Sequence, residues 1–458
     1  MMRVSLPQLA EVVGAQVVPD KARCQIERVS TDTRTLGEGA LFVALVGERF
    51  DGHDFIAQAE QAGASALLVS RPVESTLPQL RVQDTLLALG QLGAYWRQQV
   101  NPYCVALTGS VGKTSVKEMT ASIFALAGET LATRGNLNNT IGVPLTLLEL
   151  TPAHRYAVIE MGANHQGEIR YTSSLVQPDV AMINNIQPAH LEGFGGIEGV
   201  AKAKCEIFEY LADDGKAVVN LDDDHCEKVL ATVAERDVIR FSSRQVADIW
   251  ADNVTRDPLS GSYHFLLHRG EASVPVQLPV PGRHQVDNAL AAAALASAAD
   301  LSLDLIAEGL RATPQVPGRT QFYRLSATLT VVDDSYNANL ASTKAALDLL
   351  SEQAGQTLLV FGDMGELGED AESHHRLVGE YAAEKGIDYL LTVGTLSAFA
   401  TETFAGAEHF SGHGELIARL ESLVSQTDAP LTVLIKGSRS ARMEQIVSAL
   451  RERFWEST

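Results

Sequence analysis

The sequence predicts an α/β protein of three domains. A small mixed N-terminal unit takes residues 1–100. A central P-loop ATPase-like parallel-sheet unit with an added β-rich part takes 101–312, and a Rossmann-like C-terminal unit takes 313–458. Three observations carry this. The chain has 458 residues, about three times the roughly 150 that one domain takes up. Short apolar runs alternate with helical patterns, the rhythm of strands joined by crossover helices. That rhythm breaks near Asn101-Pro102 and again across Thr313–Pro317, where TPQVPG is too proline-rich for a helix interior.

In the first unit ALFVALVG and ASALLVS read as strands between helical stretches. The central unit brings YCVALTG, YAVIEMG, DVAMINNI and KAVVNLD, each an apolar run that ends in polar residues or glycine. Near residue 238 the chain turns β-rich, and GSYHFLLH with EASVPVQLPV reads as a strand pair. An alanine-rich helix follows Pro281-Gly282, and the alternation restarts with LTVVDDS, TLLVFGD, YLLTVG and LTVLIKG.

Composition excludes several functions. Lys and Arg total 36 against 57 Asp and Glu, a net charge of −21, which argues against coating nucleic acid or an anionic membrane. Cys24, Cys104, Cys205 and Cys226 are widely spaced, with no metal or redox pair, so free thiols in a reducing cytoplasm are expected. No run reaches the ~18 to 20 apolar residues of a membrane span, and MMRVSLPQLAEVVG lacks a secretory pattern. A monomeric cytoplasmic protein is the expectation.

The strongest local signal is TGSVGKTS, directly after the strand YCVAL. Gly109, Ser110, Val111 and Gly112 can bring backbone N–H groups against phosphate, because glycine removes the Cβ clash. Lys113 supplies a cation for the β- and γ-phosphates, the Thr114 hydroxyl reaches Mg²⁺, and Ser115 closes the run. The glycine that usually opens such a loop is replaced by Leu107.

Three further residues are candidates with alternatives open. Glu160 ends the strand YAVIE, where α/β sheets present ligands, and reads either as a Mg²⁺ ligand or as a strand-end carboxylate in water. His190, in QPAHLEGFG, reads as a ligand or as a surface imidazole. On a helix from about Ile197 to Leu211, Val200, Lys204, Ile207, Phe208 and Leu211 share one face, and Lys202, Glu206 and Glu209 share the polar one. Lys204 is therefore an inward ammonium that is either paired, neutralised or modified, or else snorkels to solvent.

TGSVGKTS, GNLNNTIGVPLT, VIEMGANHQGEI, HLEGFGGIEGVAKAKCEIF and PGRHQVDNALAAAALA occur in this order, and together they resemble the Mur ligase family of peptidoglycan synthesis. That family shares the glycine-short phosphate loop. DDSYNAN, VFGDMGELG and IKGSRSARME in the last unit resemble the member that adds D-alanyl-D-alanine to a UDP-N-acetylmuramoyl-tripeptide. The resemblance implies an ATP-dependent ligase that forms an amide through an acyl phosphate, yielding pentapeptide, ADP and phosphate. It also implies roles for individual residues. His190 and Glu160 match metal ligands, and Lys204 matches the lysine carried as a carbamate that holds a second Mg²⁺. Asn288 matches an adenine contact, and Arg319, Asp334 and Tyr336 match nucleotide contacts of the last domain. Thr31, Asp32, Thr33 and Arg34 match the uridine-nucleotide loop. Asn138, Asn139 and Asn337 are candidate peptide contacts, and turn-stabilising asparagines are the alternative.

The sequence departs from the family pattern at Thr33, for serine, at Ser115, for threonine, and at Leu340, for proline. Lys344, Lys436, Arg439 and Arg442 are cations near the expected closure surface, and Asp363 is a candidate for the dipeptide amine. Two rival readings are a sibling ligase that adds one amino acid and a nucleotide-dependent switch. The first lacks its Asn-Pro-Arg run here, and NLDDD is no guanine-reading motif.

Overall fold

The computed structural model describes residues 2–455 except 21, 48–49, 189–190, 258–260 and 428. The central sheet has nine strands, in the order Ala272–Leu278, Tyr263–Arg269, Ile249–Arg256, Asp237–Ser242, Lys216–Asn220, Val180–Ile183, Tyr103–Thr108, Tyr156–Glu160 and Thr130–Ala132. Pairing is parallel from Thr130–Ala132 across to Ile249–Arg256, and the final two strands join antiparallel. The β-rich stretch therefore widens this sheet instead of forming its own layer.

Helices on both faces explain why strands such as Val180–Ile183 are apolar at every position. On one face lie the helices Lys113–Ala127 and His284–Ala298. Ala289, Ala291, Ala292, Ala293, Ala294 and Ala296 are wholly buried, and their small side chains let the second helix lie close to its neighbours.

The first unit holds a five-stranded sheet in the order Gln16–Val18, Gln79–Arg81, Ala64–Val69, Ala40–Val43 and Arg28–Ser30. Its last helix, Thr85–Val100, starts where the Asp84 carboxylate accepts from the N–H groups of Leu86 (2.8 Å) and Leu87 (3.0 Å). That helix fastens the first unit to the second. Trp96 Nε1 donates to the Leu150 carbonyl at 2.8 Å, and Arg97 donates to the carbonyls of Val176 (2.8 Å) and Gln177 (3.0 Å). One apolar core runs through Leu41, Leu68, Leu92, Leu147 and Val176, from one sheet to the other. The change of pattern at Asn101-Pro102 thus marks a change of sheet within one continuous core.

The last unit is built around a six-stranded sheet in the order Gln321–Arg324, Leu329–Asp334, Leu431–Lys436, Gln356–Gly362, Tyr389–Val393 and Glu408–Phe410. Five of these strands are parallel and the first is antiparallel to its neighbour. Two apolar clusters belong to it alone. All four cysteines are free thiols.

The fastening depends on small residues. A Cβ on Gly93 would lie 3.0 Å from Pro144 Cα and 3.1 Å from its carbonyl oxygen. Gly93→Val is expected to cost about 1–3 kcal/mol by overpacking, read as a lowered urea midpoint. An unchanged midpoint would show that the two units yield at this seam.

Candidate functional site

The strand Tyr103–Thr108 delivers the chain into Gly109–Gly112, and the helix Lys113–Ala127 begins immediately after. Gly112 has φ +79°, and a Cβ there would stand 2.5 Å from Asn288 Oδ1 and 2.7 Å from Asn184 Nδ2. Only glycine fits both that backbone and that space. Asn185 Oδ1 accepts from the N–H groups of Ser110 (3.1 Å) and Val111 (2.9 Å). Asn184 Nδ2 donates to the Val111 carbonyl at 3.0 Å and to Asn288 Oδ1 at 3.3 Å. Ser110 Oγ donates to the Gln187 carbonyl (2.8 Å) and accepts from the Gln187 N–H (2.9 Å). In the sequence Asn184 and Asn185 pass as the polar end of the run DVAMINNI. Their signal was two successive amides at the C-terminal end of a buried strand, and Ile183 pairs in register with Thr108.

Lys113 Nζ donates to the Gly109 carbonyl at 2.7 Å. Burial lowers its pKa, Glu160 opposes that shift, and Arg319 adds to it. Lys204 is 4% exposed, and burial, reinforced by the charge of Lys113, pushes its pKa well below the ordinary lysine value. The inward placement of Lys204 is therefore observed, and Lys202 is exposed. Glu206 does not share the polar face with Lys202. The α-helix ends at Cys205 and tightens to a 3₁₀ turn over Glu206–Phe208, which swings Glu206 inward to 3% exposure. Its carboxylate accepts from the N–H groups of Gly167 (2.9 and 3.0 Å) and Arg170 (3.1 Å), at the start of the helix Glu168–Val176.

Glu160 is 2% exposed at the end of its strand, so it does not sit in open water. Asn138 Nδ2 donates to its Oε1 at 2.7 Å, and its Oε2 is buried with no hydrogen-bond partner. Asn139 does different work. Its Oδ1 accepts from the N–H groups of Ile141 (3.2 Å) and Gly142 (2.8 Å), which stabilises the turn into the helix Gly142–Leu148.

A cleft of about 460 Å³ opens between this edge of the central sheet and the last unit. Gly112, Ser115, Asn288, Arg319, Asp334 and Lys436 are among the residues that line it. The Arg319 guanidinium lies 4.3 Å over the Tyr336 ring, and its charge lowers the pKa of both Lys113 and Lys436. Asp334 Oδ1 accepts from the Thr320 N–H at 3.1 Å, and Lys436 Nζ, almost fully buried, donates to Asp334 Oδ2 at 2.5 Å. Lys436 also donates to the Asn337 carbonyl at 3.1 Å, while the Asn337 side chain accepts from the Ala338 N–H and the residue stays exposed.

Of the four cations noted in the last unit, only Lys436 lines the cleft. Lys344 lies over Tyr381 at 4.9 Å, Arg439 pairs with Glu444 at 3.1 Å, and Arg442 is exposed. Asp363 is bound elsewhere, since its oxygens accept from the N–H groups of Thr395 (2.9 Å) and Ser397 (2.7 Å). Leu340 is the first residue of the helix Leu340–Ser351, where proline would also fit. The reciprocal bonds of Asn339 and Ser342 (2.8 and 3.1 Å) start that helix without it.

Thr31, Asp32, Thr33 and Arg34 stand on the first unit, outside the cleft lining, just after the strand Arg28–Ser30. Asp32 Oδ1 accepts from the Arg34 N–H and guanidinium, each at 2.9 Å, and these bonds hold its pKa down to about 2. The strand before this loop packs on the helix Gly142–Leu148, whose opening turn Asn139 stabilises.

The donor set fits a hard cation. The orphaned Glu160 Oε2 is a buried anionic oxygen in need of a partner. Among the described residues no three carboxylates, imidazoles or thiols converge. Further ligands would have to be the Thr114 hydroxyl, a modified Lys204, water and substrate oxygens. His190 lies outside the described residues.

Three family models match the chain: "Mur ligase family, catalytic domain" over residues 25–97, "Mur ligase middle domain" over 107–296, and "Mur ligase, glutamate ligase domain" over 318–439. The UDP-N-acetylmuramoyl-tripeptide–D-alanyl-D-alanine ligase of Escherichia coli is 49% identical over 453 residues, covering 99% of both chains. A MurF crystal structure from Acinetobacter baumannii superposes with a TM-score of 0.94 at 40% identity, covering 99% of each chain. MurF from Thermotoga maritima, solved in complex with ADP, gives 0.84 at 25% identity over 93% of this chain and 97% of that one.

Burial of the Lys204 amine makes stability depend on pH in a definite sense. The folded pKa lies below the usual 10.5, so the unfolded chain binds more protons between the two values and stability rises with pH across that window. In metal-free, CO₂-depleted buffer at neutral pH, Lys204→Met should therefore melt higher than the parent. The difference should shrink as pH rises toward the unfolded-state value, and a lower melting point at neutral pH would contradict this.

Proposed function

We propose, on the premise that the chain belongs to the Mur ligase family, that it joins D-alanyl-D-alanine to UDP-N-acetylmuramoyl-tripeptide and couples the step to cleavage of ATP. The observation that carries this reading is a phosphate loop whose Val111, Gly112 and Ser115 line a cleft together with Arg319 and Lys436. The charge of the buried Glu160 reaches Lys113 there, and that of Lys113 reaches the buried Lys204.

Amide formation from a carboxylate and an amine in water is unfavourable, so the carboxylate first acquires a leaving group. The tripeptide carboxylate attacks the γ-phosphorus, the bond to the β–γ bridging oxygen breaks, and ADP departs. The amine of D-alanyl-D-alanine then adds to the acyl phosphate, loses its proton and expels inorganic phosphate. Lys113 and the N–H groups of Gly109–Thr114 offset the charge on the transferring group. Bound Mg²⁺ would screen the phosphate oxygens and draw electron density from the γ-phosphorus. Thr114, Glu160, His190 and Lys204 are the residues we assign to hold it.

For Lys204 we infer a carbamate. The neutral amine that burial favours adds to CO₂ and releases one proton, which turns a buried uncharged amine into an anionic oxygen donor. Asn288, Arg319, Asp334 and Tyr336 are assigned to the nucleotide, and residues 31–34 to the uridine end of the acceptor. Asn138, bonded to Glu160, is assigned to the acceptor peptide, and Asn337 is assigned to the incoming dipeptide. Residues 1–100 then serve the acceptor, 101–312 serve ATP, and 313–458 close over both to exclude water from the acyl phosphate. We read the enzyme as a cytoplasmic monomer. Among the described residues no helix is long and apolar enough to cross a membrane.

Phosphate release from ATP is the test. It should require UDP-N-acetylmuramoyl-tripeptide and D-alanyl-D-alanine together, and release indifferent to the dipeptide would refute the assignment. ¹³C-bicarbonate should give a carbamate resonance in the parent that is absent from Lys204→Ala, and that variant should lose at least about 100-fold in turnover. A variant with parental turnover would leave Lys204 a packing residue.

A further inference from the structure

We propose that Lys117 and Thr133 are positioning residues that set where Glu160 stands relative to the phosphate loop. Lys117 lies one turn into the helix that grows from that loop and is 1% exposed. Lysine is almost never buried so fully without a specific partner. Its Nζ donates to the Thr133 carbonyl at 2.7 Å and pairs with Glu118 at 2.5 Å. Thr133 is itself buried, and its Oγ1 accepts from the Glu160 N–H at 3.0 Å, while its own N–H donates to the Val158 carbonyl at 3.0 Å.

The segment from Thr133 to Asn138 therefore grips Glu160 twice, by its backbone through Thr133 and by its Oε1 through Asn138. Lys117 fixes the start of that segment to the phosphate-loop helix. A methionine of similar size could fill the space without an ammonium to desolvate, but only the amine can donate to the Thr133 carbonyl. The free oxygen of Glu160 is then held at a set position relative to Lys113 and Thr114. This inference rests on Glu160 as a cation ligand.

The test reads metal binding instead of turnover. Mn²⁺ is titrated into the full-length protein in the presence of ADP and followed by electron paramagnetic resonance, and metal-free ADP affinity is measured beside it. Thr133→Val should weaken Mn²⁺ by about 10- to 100-fold, the usual effect of losing an outer-sphere partner, with metal-free ADP affinity unchanged. Thr133→Ser, which keeps the hydroxyl, should restore the parental value, and Lys117→Met should act in the same direction as Thr133→Val. If Lys117→Met does not fold, the threonine pair still decides. A folded Thr133→Val with Mn²⁺ affinity within about twofold of the parent would overturn the proposal, as would an equal loss of metal-free ADP affinity. A parent protein that binds no Mn²⁺ with ADP would overturn it together with the cation reading of Glu160.

Discussion

The Asn185 carboxamide, by accepting from two successive N–H groups of the loop after Tyr103–Thr108, fixes the stretch of backbone on which the site is assembled. That bond exists because Val180–Ile183 lies beside Tyr103–Thr108 in parallel register, so two strand ends reach the same edge together. With the loop held, Gly112 takes its left-handed turn, the helix begins at Lys113, and its first two turns carry Thr114, Ser115 and Lys117. Strand order, loop shape and side-chain placement are consequences of one another here. An α/β sheet places such groups at its carboxyl edge for this reason.

Electrostatics oppose the fold locally. The chain carries a net charge of −21, yet Arg319 and Lys436 line the cleft, the charge of Arg319 reaches Lys113, and that of Lys113 reaches Lys204. Burial lowers the pKa of all three lysines, Lys113 adds to the effect at Lys204, and Arg319 adds to it at Lys113 and Lys436. Glu160 and Asp334 offset this only in part. Such a preorganised cluster of cations is relieved when a polyanion enters. The surrounding negative field leaves affinity to these few groups.

What was legible in the sequence was local. Strands buried on both faces announce themselves as unbroken apolar runs, and a phosphate loop has a fixed spacing, so both could be read without a structure. Lys204 could be placed because helical period holds up to Cys205. Glu206 could not, because the 3₁₀ turn that begins there changes the pitch and period arithmetic does not see that. Asn138 and Asn139 are neighbours of one type with unrelated partners, Glu160 for one and backbone N–H groups for the other. The parts played by Asn184 and Asn185 depend on which strands become neighbours, a non-local fact. Asp363 looked poised at a strand end, and only the turn at Thr395–Ser397 reveals where its carboxylate is committed.

The apolar core that runs unbroken from the first sheet into the central one stops there, and the last unit keeps its hydrophobic clusters to itself. Across that break the described residues meet through polar contacts such as Arg256 with the Gln353 side chain at 3.5 Å, and the cleft lies along it. A ligand that spans the cleft touches both sides. Its binding free energy is realised only while both sides are folded, so a bound ligand adds a coupling between them that the apolar packing does not supply.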